Sequence, residues 1–366
     1  MGLPRPPTLA LVGLLATAVM LTSCSSTPPL EGTPDADASA PPGPTTVTLL
    51  THDSFALSES LLTDFEARTG ITVKVVSGGD AGEVVNKAVL TAGNPEGDVL
   101  FGVDTTLLTR AVDAGVFTPY RSVSLAELRP ELREDTSGGR LTPVDYGDVC
   151  VNIDDAWFAE RDLIPPRGID DLTDPIYRDL LVVQNPATSS PGLAFLLATV
   201  ARYGEDGWQP YWSALRANGV KVTNGWTEAY SGDFSGSSGE GDRPLVVSYA
   251  SSPPAEIVYA AEPKPTRPGT SVMTDGCFRQ VEYAGILAGT KNVAAARAVV
   301  DWLVSPEVQA DVPLSMFVFP AREDVALPKV FADFAAVPPN PLSLPPTDIA
   351  EHREEWVDAW TDVVLR

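Results

Sequence analysis

The sequence predicts an α/β protein built on a parallel sheet covered by helices. Three features point there: strand and helix signals alternate from residue 47 to 114, the loops between them are short, and the helical segments carry apolar faces. Residues 47–50 form a first strand. Residues 58–69 form a helix that sets Leu57, Leu61, Leu62 and Phe65 on one face and stops at Gly70. A strand over 71–76 follows, then a helix over 82–91 with Val84, Val85, Ala88 and Val89 inward. The run closes with a strand over 98–102 and a helix over 104–114, halted by Gly115. In such sheets ligands bind beyond the carboxyl ends of the strands. Those ends are Thr51-His52-Asp53-Ser54, Ser77-Gly78-Gly79-Asp80 and Gly102-Val103-Asp104.

A second αβ region repeats one local design. A strand over 181–184 runs into Asn185-Pro186-Ala187-Thr188-Ser189-Ser190-Pro191-Gly192, and a strand over 245–247 runs into Ser248-Tyr249-Ala250-Ser251-Ser252-Pro253. Both read strand, Ser-Ser-Pro, helix, with Ser190 and Ser252 as N-caps and the proline at the first helical position. Capping alone accounts for either; two at equivalent strand ends point to a shared ligand site, where free N–H groups receive anionic oxygens. Between them, Gly225-Trp226-Thr227 sits at a strand-to-helix junction among polar neighbours. Trp226 is therefore expected at a mouth, near Tyr230 and Tyr249, while Trp157, Trp208, Trp212, Trp302, Trp356 and Trp360 are expected to be packed inside.

The N-terminus sets the compartment. An apolar run over 9–21 follows Arg5 and ends in Leu21-Thr22-Ser23-Cys24, the pattern of a bacterial lipoprotein signal, and no other run is long and apolar enough to span a bilayer. Residues 1–23 are thus expected to be removed, Cys24 to be lipidated, and 24–46, rich in Pro, Ser, Thr and Ala, to tether the domain up to about 60 Å from the membrane. The net charge of −24 argues against nucleic acid or an anionic partner and suits a cationic ligand weakly. Cys150 and Cys277 are an even pair in an oxidising compartment and read as a disulfide, two buried free thiols being the alternative. No cluster of His and Cys offers a metal site. Only His52 and His352 are present, no Gly-x-Ser-x-Gly elbow occurs, and His52-Asp53-Ser54 are chain neighbours that point in different directions. A lipid-anchored enzyme is accordingly the weaker reading.

The globular part resembles the thiamine-binding periplasmic proteins of bacterial ABC importers, within the wider group of two-lobed substrate-binding proteins. The resemblance is carried by Asp53-Ser54-Phe55-Ala56, Gly102-Val103-Asp104 with Leu107-Leu108, Asp145-Tyr146-Gly147, Thr188-Ser189-Ser190-Pro191-Gly192-Leu193, Gly225-Trp226-Thr227-Glu228-Ala229-Tyr230 and Ser248-Tyr249 with Ser251-Ser252-Pro253. Residues 298–309 resemble a helix common to many substrate-binding proteins.

The resemblance implies a type II periplasmic-binding-protein fold with a cleft between lobe I (47–147 and 283–366) and lobe II (148–282). It implies an extracytoplasmic, lipid-anchored monomer that passes thiamine or its phosphate esters to an ABC permease and its ATPase, with no cofactor. The implied ligand contacts are Asp80, Ala81, Ser189, Ser190, Trp226, Tyr249, Ala250, Ser251 and Ser252, with His52, Asp53, Asp104, Tyr146, Tyr230 and Phe317 as further candidates. A carboxylate and aromatic faces would hold the thiazolium, and hydroxyls and backbone N–H groups the hydroxyethyl or phosphate end. His52 stands where the family has an aromatic residue, Ala81 where it often has glycine, and Phe317 or Phe319 where it has a late tryptophan. In this fold Cys150 and Cys277 fall on neighbouring crossover strands. A sugar or ferric ion is the alternative ligand, although iron receptors of the group present adjacent tyrosines and this chain has no Tyr-Tyr pair.

Overall fold

The computed structural model describes residues 45–134 and 136–366. The signal, Cys24 and nearly all of the tether lie outside the described residues. Thr45 and Thr46, assigned to the tether by sequence, already belong to the first strand.

The first half comprises β1 (Thr45–Thr51), α1 (Glu59–Thr69), β2 (Ile71–Ser77), α2 (Ala81–Leu90), β3 (Val99–Asp104), α3 (Leu108–Asp113) and the short β4 (Phe117–Thr118). β1 pairs in parallel with β2 and β3, as the alternation predicts. The helix expected over 104–114 starts later. Asp104 closes β3, and its carboxylate accepts the N–H groups of Thr106 at 2.8 Å and Leu107 at 3.1 Å, holding a turn that delays α3 to Leu108.

The chain then forms β5 (Leu141–Asp154), α4 (Asp155–Glu160), β6 (Leu181–Gln184), α5 (Ser190–Ala217, interrupted at Gly204), β7 (Lys221–Thr223), a π-helical segment (Glu228–Asp233), β8 (Leu245–Tyr249) and α6 (Pro254–Val258). It returns along β9 (Thr270–Leu287) into α7 (Val293–Leu303), α8 (Pro306–Ser315), β10 (Phe319–Pro320), α9 (Lys329–Phe334) and α10 (Pro346–Val364). The single helix suggested by 298–309 is two, broken at Ser305-Pro306, where the Ser305 hydroxyl caps α8 by accepting the Val308 N–H.

The strand order is β2-β1-β3-β9-β5-β8-β6-β7, with β4 on β9 and β10 on β5. The sheet is therefore mixed, not parallel throughout. β9 runs antiparallel to β3 and β5, and β5 antiparallel to β8, whereas β6 is parallel to β7 and β8. The reason is the return path: β5 carries the chain into the second half over 14 residues and β9 brings it back over 18, so the two must run in opposite senses.

Aromatic packing ties the helices to one another. Trp212 meets Trp360 edge-on at 5.4 Å and Phe195 at 5.6 Å, and Phe65 lies 4.8 Å from Trp302. Trp208, Trp212, Trp302, Trp356 and Trp360 are buried as expected, and Trp157 is half-buried. Helix α10 touches both halves. Trp360 packs on α5, and Glu354 pairs with Arg110 of α3 at 2.5 Å.

Cys150 on β5 and Cys277 on β9 form a disulfide with Cα atoms 4.4 Å apart. It sits where the β5–β9 register shifts between Val149 and Val151. The bridge closes a loop of 127 residues, so its removal should cost about 2–5 kcal/mol through the unfolded chain. The C150S/C277S variant is expected to keep its far-UV circular dichroism but unfold at lower denaturant, with faster amide exchange confined to β5 and β9. Two free thiols in the exported protein, found by mass measurement, would contradict the bridge.

Candidate functional site

Strand ends and helix starts from both halves enclose a cleft of about 680 Å³, its open mouth included. From the first half come His52, Asp53 and Ser54 after β1, and Asp80 and Ala81 at the start of α2. The second half supplies Ser190 and Pro191 at the start of α5, Trp226 and Tyr230 beyond β7, and Tyr249, Ser252 and Ala255 around α6. Glu282 of β9 and the segment Met316-Phe317-Val318 complete the wall.

Asp80 is the pivot of this arrangement. It occupies the N-cap position of α2 in extended backbone but caps nothing there. Its carboxylate instead reaches into the other half, where Oδ1 accepts the Ser190 N–H at 3.1 Å and Oδ2 the Trp226 N–H at 2.9 Å. Burial pushes its pKa up, opposed by these two backbone donors and the Ser189 hydroxyl. The halves touch at two further points beside it: Glu83 N–H donates to the Thr188 carbonyl at 3.2 Å and the Asn86 amide to Ala187 at 3.4 Å. Gly82 allows the approach, since a Cβ there would lie 2.4 Å from the Thr188 carbonyl oxygen.

Ser189, not Ser190, caps α5, its hydroxyl accepting the Gly192 N–H. Ser190 is freed by that shift and donates its hydroxyl to Asp104, as does the Gln280 amide. Asp104 is fully buried one layer beneath the cleft, and burial, against these donors and those of Thr106, raises its pKa to about 6. The second Ser-Ser-Pro is less equivalent than its sequence suggests. Helix α6 spans only Pro254–Val258 with no side-chain cap, and Ser252 bonds the Ser248 hydroxyl at 3.1 Å.

Trp226 stands at the mouth as expected. Tyr230 stacks on its indole at 4.8 Å and 16°, and its Nε1–H donates to Ser248 at 2.9 Å. On the opposite side, His52 lies 3.4 Å from Glu282. Burial disfavours its charge, but Glu282, with Asp80 and Asp53 behind it, outweighs that and raises the imidazole above its ordinary value. Gly102, at φ 98°, makes room for the ring, since a Cβ would sit 2.5 Å from His52 Cδ2. Asp145 faces Glu282 directly across the β5–β9 ladder, and burial followed by the Glu282 charge pushes its pKa well up. Phe317 adopts φ 56°, a strained value for a bulky residue, and turns its ring against Tyr259 at 5.4 Å.

Of the residues named from sequence, His52, Asp53, Asp80, Ala81, Ser190, Trp226, Tyr230, Tyr249, Ser252 and Phe317 come together on the wall. Five do not line it. Ser189 caps α5, and Asp104 supports Ser190 from below. Ala250 is buried in a backbone bond to Asp148, Ser251 is buried with no partner for its hydroxyl, and Tyr146 stacks on Phe319 between Arg129 and Arg279. Outside the named contacts, the wall also takes Ser54 and Pro191, which belong to a strand end and a helix start picked out from sequence, and Ala255, Glu282, Met316 and Val318, which sequence reasoning missed. Of these four only Glu282 carried a signal, a carboxylate inside the apolar run 281–287 of β9.

Residues 94–353 match the family described as bacterial extracellular solute-binding protein. The chain belongs to this family. It is a solute receptor, not an enzyme, and its place is extracytoplasmic. Similar proteins include the thiamine-binding periplasmic proteins of Salmonella typhimurium, 30% identical over 325 residues (87% of this chain, 94% of that protein), and of Brucella suis, 29% identical over 328 residues (88% and 92%). A solved periplasmic thiamin binding protein matches with a TM-score of 0.77 at 27% identity, covering 88% of this chain and 96% of that one. The receptor thus has the two-lobed type II fold expected from sequence.

Gly82→Ala should wedge the contact between the halves without unfolding either. Amide exchange at Ser190 and Trp226 should quicken, and solute affinity should fall about tenfold. Unchanged exchange at both amides would show that Asp80 holds its donors without help from α2.

Proposed function

We propose that this receptor binds thiamine or a thiamine ester in the cleft and delivers it, as a monomer, to an ABC permease and its ATPase. The observation that carries this reading is the Trp226–Tyr230 stack on a wall bearing Asp53, Asp80 and Glu282 and no Lys or Arg. One face of the indole is covered by Tyr230 and its edge is tied to Ser248. The other face, with carboxylates nearby, suits a flat cationic ring such as a thiazolium. The names of the similar proteins from Salmonella typhimurium and Brucella suis point to the same ligand.

In this reading 47–147 with 283–366 form lobe I and 148–282 lobe II. The lobes close over the ligand about β5 and β9, and the closed shape is what the permease senses. We also assign residues 1–23 as the export signal and Cys24 as the lipidated residue that keeps the receptor at the membrane. Cys24→Ala should release it from the membrane fraction into the soluble one.

Thiamine should quench the tryptophan fluorescence saturably, while sugars and ferric ion do not. Trp226→Ala should weaken binding about 10–100-fold with an unchanged circular dichroism spectrum, since ring stacking contributes about 1–3 kcal/mol. Quenching by ferric ion or a sugar in place of thiamine would replace this ligand.

The pH dependence has a definite sign. A cation favours ionised carboxylates and an uncharged imidazole. As pH falls, Asp104 takes up its proton near about 6, Asp80 gains one above the ordinary carboxylate range, and His52 becomes charged below its raised pKa. All three changes weaken a cation, so affinity should fall on acidification, first as His52 becomes charged and further as Asp104 takes up its proton near about 6, and should level off only above the raised pKa of His52. Calorimetric titrations across that range check this.

A further inference from the structure

We propose that Tyr259, which lies outside the cleft wall, is a positioning residue for the solute: its ring braces Phe317 and so holds the segment Met316-Phe317-Val318 against the cleft. This rests on the reading of the cleft as the solute site and adds a residue to it.

Phe317 is the strained point of the wall. Its φ of 56° is costly for a bulky side chain and lasts only where the surroundings enforce it. The chain on either side is fixed: the Met316 N–H ends α8 on the Val312 carbonyl at 3.0 Å, and Phe319 is paired with Tyr146 of β5 and stacked on it at 5.2 Å. Those ends leave the turn to Phe317 and Val318 but do not hold the Phe317 ring. The ring is held in an apolar cluster with Phe319 and Phe331, on which Ala255 and Val258 of α6 pack. Tyr259 follows α6 directly and meets Phe317 at 5.4 Å and 65°, the edge-on geometry that aromatic pairs favour.

Beyond the cleft lies an outer chamber of about 1160 Å³, open solvent included, which shares Trp226, Tyr230, Ala255 and Phe317 with it. Tyr259 lines only this chamber, so Phe317 stands between Tyr259 and the cleft. The chamber has room for the Phe317 ring, and a relaxed backbone would let the ring turn into it. Tyr259 occupies that side. It is itself 69% exposed, while Phe317 is 8% exposed. An exposed tyrosine gains little burial of its own; what its ring supplies is a partner that keeps Phe317 covered. Tyr259 also feels α8, the helix that leads into Phe317: after burial, the Asp311 charge is what pushes its hydroxyl above the ordinary value.

The test is calorimetric titration of the whole exported protein with thiamine as the probe. Tyr259→Ala should weaken binding about 3–10-fold, the scale of one edge-on aromatic pair, with an unchanged circular dichroism spectrum. Tyr259→Phe, which keeps the ring, should stay within about twofold of the unsubstituted protein. Phe317→Leu removes the ring that Tyr259 braces, so adding Y259A to F317L should cost less than about twofold more. Full affinity in Y259A, failure of Y259F to retain it, or an equal loss from Y259A with and without F317L would overturn the proposal.

Amide exchange of the ligand-free protein provides an arm that does not depend on thiamine. Residues 315–318 should exchange about threefold or more faster in Y259A and at the unsubstituted rate in Y259F. Unchanged exchange in Y259A would count against the brace whatever ligand the receptor carries. Failure of thiamine to bind the unsubstituted protein would therefore remove the ligand reading alone, and the exchange of residues 315–318 would still decide the role of Tyr259.

Discussion

The antiparallel pairing of β5 with β9 is the constraint on which the rest of the molecule depends. These two strands pass through both halves, so everything placed on them is shared by both. The ladder sets the buried Asp145 opposite Glu282 of the cleft wall and Cys150 beside Cys277 a few residues further on. Two carboxyls facing each other out of water cannot both ionise cheaply. Burial and the Glu282 charge favour a proton on Asp145, which leaves Glu282 as the partner of His52. The ladder that fixes the fold thereby fixes the charge pattern of that wall.

Asp80 does for the contact between the halves what β5 and β9 do for their connection. A buried carboxylate without donors is costly, and its own helix does not supply them. Both donors come from across the cleft, at the starts of two separate segments of the second half. The bonds are charge-assisted and the α5 dipole adds to one of them. Few other polar bonds cross at this point, so the relation of α2 to α5 rests on a handful of atoms packed tightly enough that Gly82 has no room for a methyl group.

Much of this was legible in the sequence because it follows from local rules. The β1–α1–β2–α2–β3 run announced itself by periodicity and by Gly70, and the ligand-facing strand ends followed from the topology of parallel sheets. Trp226 was readable because its neighbours are too polar to bury it. What was not legible depended on partners distant in the chain. Ser189 and Ser190 are both good caps by composition; only Asp104, 86 positions away, decides that Ser190 points down and leaves capping to Ser189. The antiparallel centre was not legible in the residues themselves: only the resemblance put Cys150 and Cys277 on neighbouring crossover strands, and nothing local says that β5 and β9 pair. Met316 and Val318 line the cleft through a loop whose course is set by the strained backbone of Phe317, for which the residue types give no signal.

If the proposed cationic ligand lies against Asp80, one carboxylate serves both the contact between the halves and the ligand, with a thermodynamic consequence. Desolvation favours the protonated form of Asp80, and protonation removes the charge that makes its two N–H acceptor bonds strong. A cation lodged against the cleft wall opposes that proton uptake. It keeps Asp80 ionised, and an ionised Asp80 holds Ser190 and Trp226, hence α5 and the indole, against α2. Occupancy and the proposed closure would then be coupled through one site with no relay between them, and by reciprocity whatever tightens the contact would also tighten the ligand. A neutral ligand of the same shape could fill the space but would leave the proton equilibrium of Asp80 where burial sets it. Positive charge would therefore be what turns binding into closure in this cleft.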